Sequence, residues 1–143
     1  MKKIFAPGND STMTSLGLLA LRLWLGLTML LHHGVEKINN FSQMAPMFFD
    51  PFHIGHQASL GLVVFAEAAG ALLLAMGLLT RFAALTLVID MAVAFFMVHK
   101  SLRGGELAFI YLAGFVALLL AGGGKCSLDH LIFGKGSGQS KRN

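Results

Sequence analysis

Four long apolar runs, at about 14–34, 58–79, 82–98 and 106–122, dominate the chain of 143 residues. A helix needs roughly 20 residues to cross a bilayer, and inside lipid a helix satisfies its own backbone hydrogen bonds. Only 13% of the residues are charged and 55% are hydrophobic, which leaves too few charges to cover a water-facing surface. The sequence therefore predicts an all-α bundle of four transmembrane helices.

Charged residues outside the runs predict the orientation of this bundle. Residues 1–13 form an N-terminal tail, residues 14–124 form the membrane domain, and residues 125–143 form a basic C-terminal tail. The first run lacks a small-residue cleavage site, so it is predicted to be a retained helix rather than a signal peptide. Cytoplasmic segments of membrane proteins carry an excess of lysine and arginine. We therefore predict a multi-pass protein of the inner (cytoplasmic) membrane with both termini in the cytoplasm. The tails and second loop carry Lys2, Lys3, Arg81, Lys125, Lys135, Lys141 and Arg142, against Lys37, Lys100 and Arg103 in the other two loops.

Three ionisable residues lie inside the predicted spans: Arg22, Glu67 and Asp90. Such residues are costly in lipid, face the bundle interior and need partners. At ~1.5 Å per residue they lie about 12–18 Å from the cytoplasmic boundary, so we expect that Arg22 can reach Asp90 or Glu67 to form an ion pair. The alternative is that these charges only hold the helices together. For Glu67 we favour a function, because its own helix offers no polar neighbour.

A second polar group gathers at the non-cytoplasmic end. On a regular α-helix of about 100° per residue, His33, Glu36 and Lys37 share the face of Arg22, whereas His32 turns away. A histidine ends the third run and a glutamate opens the fourth. The candidate pocket residues are therefore Arg22, His33, Glu36, Lys37, Glu67, Asp90, His99 and Glu106.

Two kinds of chemistry fit these side chains. His33, Glu36 and His99 are candidate metal ligands. Apart from His32 and His33 with Glu36, no tight ligand motif lies within one helix, and we expect no metal site. Imidazole and carboxylate groups can instead exchange protons with a quinone at the membrane edge. The alternative is that they are hydrated side chains at the interface. The aromatic connector of residues 38–57 is either a segment that caps the bundle or an ordinary amphipathic loop.

Three segments, "RLWLGLTMLLHHGVEK", "EAAGALLLAMGLLTRFAALTLVIDMAVAFFMVH" and "GELAFIYLAGFVALLLAGGGKCSLDHLI", resemble the DoxX family of small four-helix membrane proteins. The resemblance covers about residues 18–131. It implies an association with quinone-linked oxidoreductases and with thiol and oxidative-stress responses. His32 and Asp90 depart from the family pattern, which selects Arg22, His33, Gly34, Lys37, Glu67, Gly70, Gly77, Arg81, His99, Glu106 and Asp129.

These observations lead to three functional hypotheses. The first is a membrane component that binds quinone non-covalently and acts with a soluble or membrane-bound oxidoreductase, as a subunit of a quinone-linked enzyme. The single cysteine, Cys126, cannot carry out dithiol exchange by itself, so a partner would carry the electron-transfer cofactor. The second is a non-catalytic scaffold for a soluble enzyme. The third is a small-molecule or proton-coupled transporter, for which four helices would require a homo-oligomer. Besides the lipid bilayer we expect protein partners and no nucleic acid.

Overall fold

A computed structural model describes residues 11–134 of the chain. It contains four helices long and apolar enough to cross a membrane: Thr12–Asn39, His56–Met76, Thr80–His99 and Leu102–Ala121. Within the described range there is no β-strand. The prediction of an all-α bundle of four membrane helices is confirmed. The side of the membrane on which its ends lie stays a prediction, and the tail beyond residue 134 lies outside the described range.

Each of the first three helices contains a π-helical segment: Leu30–Gly34, Phe65–Gly70 and Ala94–His99. A π-helical turn accommodates an extra residue, and such turns occur frequently at functional sites. In the first helix the segment is followed by α-helix Val35–Asn39. The helix therefore extends past Gly34, where the apolar run ends, and carries Lys37 within its last turns.

The bundle buries an apolar core and exposes an apolar outer surface. Met29, Leu60, Leu74 and Phe115 are completely buried between the helices. Trp24 lies on the outside with 75% of its surface exposed. Large exposed apolar surfaces are uncommon on soluble proteins, so this surface is the one that the lipid chains cover.

The first and second helices approach each other closely at Gly34. A β-carbon at Gly34 would lie 2.6 Å from the carbonyl oxygen of Glu67. Only glycine lets the two helix backbones approach each other this closely. Small residues at helix crossings are common in membrane proteins. The crossing point thus lies next to Glu67 and one helical turn before Lys37.

Arg22 organises the opposite end of the bundle, which we call the basic end. Its side chain is fully buried, and its Nη2 donates a 2.8 Å hydrogen bond to the carbonyl oxygen of Cys126. Its Nη1 lies 3.4 Å from the carbonyl oxygens of Leu74 and Ala75. These two carbonyls belong to the last turn of the second helix, where acceptors lack partners within the helix. Arg22 therefore caps that helix and ties it to the segment after the fourth helix.

The tight turn after the second helix depends on Gly77. Its φ angle of +69° lies in the left-handed region, which a glycine adopts without the steric cost that a side chain brings. A β-carbon there would also collide with the Arg22 guanidinium. The turn and the arginine are thus fitted to each other.

Asp129 joins the short terminal helix Leu128–Phe133 to the start of the third helix. Its carboxylate accepts hydrogen bonds from the backbone amides of Leu79, at 2.7 Å, and Thr80, at 2.8 Å. Partial burial by itself would raise the pKa of Asp129. The hydrogen bonds from Thr80 and Leu79 and the charge of Arg22 outweigh it and hold the pKa below its usual value.

The Gly34 crossing predicts the effect of adding one methyl group. Gly34→Ala is expected to separate the first two helices and lower the midpoint of thermal unfolding in detergent, followed by circular dichroism. Gly17→Ala is the matched control, because a β-carbon at Gly17 would meet nothing within 4 Å. Alanine is favoured over glycine in helices by about 0.5–1 kcal/mol, so the control should be unchanged or slightly more stable. Equal midpoints for both variants would contradict this packing.

The Asp129 cap predicts a pH-dependent contribution to stability. The pKa of Asp129 is lower in the folded protein than in the unfolded chain, so between these two values the unfolded chain binds more protons. The contribution of the cap to stability is therefore lost as the pH falls below about 4. Asp129→Asn should cost about 1 kcal/mol at neutral pH, as the loss of a helix cap does. The difference from wild type in the unfolding midpoint should shrink in acid. Glu106→Gln, at an exposed acid, should show no such difference; a gap that is constant with pH would argue against the cap.

Candidate functional site

A pocket of about 400 Å³ lies between the second and third helices, at the end that carries the connector. Most of its wall is apolar. The side chains with polar groups that line it are Lys37, Ser59, Glu67, Thr86 and Asp90. A mostly apolar pocket with a few convergent polar groups is the usual form of a small-molecule site.

Lys37 and Glu67 form an ion pair at the wall of this pocket. The Lys37 Nζ lies 2.6 Å from the Glu67 Oε2. Glu67 is only 3% exposed and sits within the π-helical segment of the second helix. The close approach at Gly34 and the continued helix beyond it bring the lysine within reach of the acid. Inside a membrane this pairing offsets the cost of burying two charges.

Asp90 contributes a second carboxyl group to the pocket from the third helix. Its Oδ2 is buried and makes no hydrogen bond with the part of the chain that the structure describes. Thr86, one turn earlier, also lines the pocket, but its hydroxyl donates to the carbonyl oxygen of Ala83 at 2.8 Å. The Oδ2 of Asp90 is therefore an acceptor that the described helices leave unused.

The connector forms the aromatic roof of the pocket. The Asp50 carboxylate accepts hydrogen bonds from the backbone amides of Ile54, at 3.1 Å, and Gly55, at 2.8 Å, and from the Ser59 hydroxyl, at 2.8 Å. These bonds fold the connector back onto the start of the second helix. The connector residues that line the pocket are Phe48, Phe49, Pro51, Phe52 and Ile54. Of the two interpretations of the connector, the capping segment matches this arrangement.

The mouth of the pocket faces the lipid side of the bundle. Leu62, Phe65 and Ile89 line the pocket, and each is also exposed on the outer surface, by 59%, 48% and 55% of its area. Since lipid covers that surface, a molecule dissolved in the bilayer can reach the pocket sideways between the second and third helices.

The structure brings together three of the candidate residues: Lys37, Glu67 and Asp90. The expected pairing of Arg22 with Glu67 or Asp90 is wrong, because Arg22 bonds to backbone carbonyls at the basic end. Those carbonyls lie seven and eight residues along the second helix from Glu67, or ~10–12 Å. The depth estimate placed all three charges about 12–18 Å from one boundary. Glu67 and Asp90 do line one pocket, but the distance along the second helix separates Arg22 from Glu67.

The remaining candidates lie away from the pocket wall. His33 is half-buried and its ring contacts Tyr111 of the fourth helix, with 5.9 Å between centroids. Glu36 is exposed, because the extra residue of the π-helical turn rotates later positions by about 100° relative to a regular helix. His99 and Glu106 are exposed as well. No group of three or more potential ligands among the described residues could hold a metal ion.

Sequence reasoning missed several residues of the pocket. The aromatic side chains of the connector suggested a cap but not a ligand-binding role. Thr86 precedes Asp90 by one helical turn, so both lie on one helix face, and this spacing was a usable signal. The hydrogen bonds that Asp50 makes within the connector could not be predicted, since an acid in a polar loop is ordinary.

Comparison with known proteins gives the family. The DoxX family profile matches residues 17–100. An uncharacterized protein of Haemophilus influenzae is 38% identical over 78 residues, which are 48% of this chain and 58% of that protein. A second uncharacterized protein of the same organism is 33% identical over 138 residues, which are 87% of this chain and 91% of that relative. No solved structure matches. The matched family region contains Lys37, Glu67 and Asp90, and the chain belongs to the DoxX family.

Proposed function

We propose that this protein binds a quinone or quinol in the pocket between its second and third helices and acts with a partner oxidoreductase in the inner membrane. One observation carries the proposal: an apolar pocket open to lipid is lined by the Lys37–Glu67 ion pair and by Asp90, whose buried Oδ2 has no hydrogen-bond partner among the described residues. Predicted orientation places this pocket toward the non-cytoplasmic side.

The pocket suits the two parts of such a ligand. Its volume of about 400 Å³ falls in the range of about 300–1,000 Å³ that small-molecule sites occupy. Phe48, Phe49 and Phe52 offer ring faces and edges for an aromatic head group. The exposed apolar side chains at the mouth allow a lipid-soluble tail to extend into the bilayer.

The polar groups supply binding and proton exchange. A bound quinone would supply the oxidation–reduction chemistry. The Lys37 ammonium has three hydrogens, one of which is directed to Glu67, so others are available for a ring oxygen. Carboxyl groups within hydrogen-bonding reach of that oxygen can take up or release a proton. A partner would supply electrons to a bound quinone or accept them from a bound quinol, because the sequence has no haem pair, flavin fingerprint or dithiol.

Titration with a quinol analogue tests this assignment. In the purified protein in detergent, Glu67→Gln should weaken binding about tenfold, because it removes the charge that orients Lys37 while keeping the size of the side chain. Glu106→Gln makes the same change at an exposed acid outside the pocket and should bind as wild type does. Absence of binding to the wild type, or equal affinity in both variants, would refute the proposal.

A scaffold function is the second candidate, favoured by cations at the basic end. Arg81 and Lys125 are exposed there, next to the terminal helix Leu128–Phe133. If the protein recruits a soluble enzyme through this end, deletion of residues 135–143 should abolish its capture in a pull-down, while Glu67→Gln should not. If the protein instead binds quinone, Glu67→Gln should weaken ligand affinity and the deletion should leave it unchanged. Ligand flux into liposomes would instead identify the transporter that the sequence also allowed.

A further inference from the structure

We infer that Asp90 makes the pocket select head groups that carry a hydroxyl, so that it binds a hydroquinone more tightly than the same ring without hydrogen-bond donors. This inference rests on the proposed function of the pocket and adds a chemical preference to it. Asp90 lines the pocket, and its Oδ2 is buried with no hydrogen-bond partner among the described residues. A buried acceptor without a donor is unfavourable, and a ligand that brings a donor removes that penalty.

None of the donors that line the pocket bonds to the Asp90 Oδ2 in the described part of the chain. Lys37 donates to Glu67 at 2.6 Å, the Ser59 hydroxyl donates to Asp50 at 2.8 Å, and the Thr86 hydroxyl donates to a backbone carbonyl. Asp90 is consequently the acceptor that the protein leaves for a ligand. Glu67 is a weaker competitor for a ligand donor, because one of its oxygens already accepts from Lys37.

The same pocket favours a neutral hydroxyl over a cationic donor. An ammonium group could also donate to Asp90, but bringing a charge into an apolar pocket costs far more than bringing a neutral hydroxyl, and the Glu67 carboxylate is already paired with Lys37. A hydroxyl can donate to Asp90 and accept from Lys37 through one oxygen. Two such groups on one ring, as in a hydroquinone, therefore match the polar wall better than two carbonyls or two ethers.

A matched pair of ligands isolates this hydrogen bond. An alkylated 1,4-dihydroxynaphthalene and its dimethyl ether share the ring and the tail, but only the diol can donate. In anaerobic titrations of the purified full-length protein, the diol should bind about 10- to 100-fold more tightly, the factor that corresponds to supplying a donor to one buried, unsatisfied acceptor. Asp90→Leu should bind the ether as wild type does and lose the preference for the diol.

Control variants separate this effect from a general disturbance of the pocket. Asp90→Leu removes no hydrogen bond of Oδ2 to the described residues, and its affinity for the ether reports that the pocket is intact. Glu106→Gln changes an exposed acid outside the pocket and should keep the preference. Asp90→Asn retains the size of the side chain and should reduce the preference without reversing it.

The outcomes distinguish the preference from the site. Equal affinity of the wild type for diol and ether, or an unchanged preference in Asp90→Leu, overturns the inference and leaves the quinone pocket standing. Tighter binding of an alkylammonium with the same tail than of the diol also overturns it. If neither naphthalene compound binds the wild type, the proposed function fails and the inference fails with it.

Discussion

The Lys37–Glu67 ion pair imposes the main constraint on this bundle. Either charge alone in the hydrocarbon would cost about 2.5–3.5 kcal/mol or more, so the two side chains must meet. Their 2.6 Å contact requires the first helix to continue beyond Gly34 and to lie directly against the second. The glycine at the crossing and the π-helical segments on both sides of it are the local geometry that satisfies this requirement. The pair also provides one wall of the pocket, so packing and ligand binding depend on the same contact.

The two ends of the bundle use ionisable residues in opposite ways. At the basic end, Arg22 and Asp129 bond to backbone groups at helix termini, and their hydrogen-bonding capacity serves the fold. At the connector end, Lys37, Glu67 and Asp90 face a pocket. The aromatic roof above them is held by Asp50, whose carboxylate accepts hydrogen bonds from the connector and from the second helix. The fold is therefore tied together at one end of the bundle, and the pocket lies at the other.

Sequence patterns predicted the fold well and the site only in part. Apolar runs identify membrane helices because hydropathy and length are all that a span needs. Glu67 was identified by its isolation in such a run. Lys37 was not identified as its partner. Arg22 was expected in that place, but it bonds to backbone carbonyls, and such bonds cannot be read from side-chain identity. The π-helical turn near Gly34 also changes the helical period, so the face assigned by a regular helix placed Lys37 correctly and Glu36 wrongly.

Access from the bilayer explains why one hydrogen bond to Asp90 can discriminate strongly between ligands. In a water-filled site, a ligand hydroxyl exchanges bonds to water for bonds to protein, and the net gain is small. A ligand that enters between Leu62, Phe65 and Ile89 comes from hydrocarbon, where few partners exist for its hydroxyl. The carboxyl group of Asp90 likewise has a buried oxygen without a partner. When the two meet, neither gives up a hydrogen bond of comparable strength, so more of the intrinsic bond energy appears as affinity.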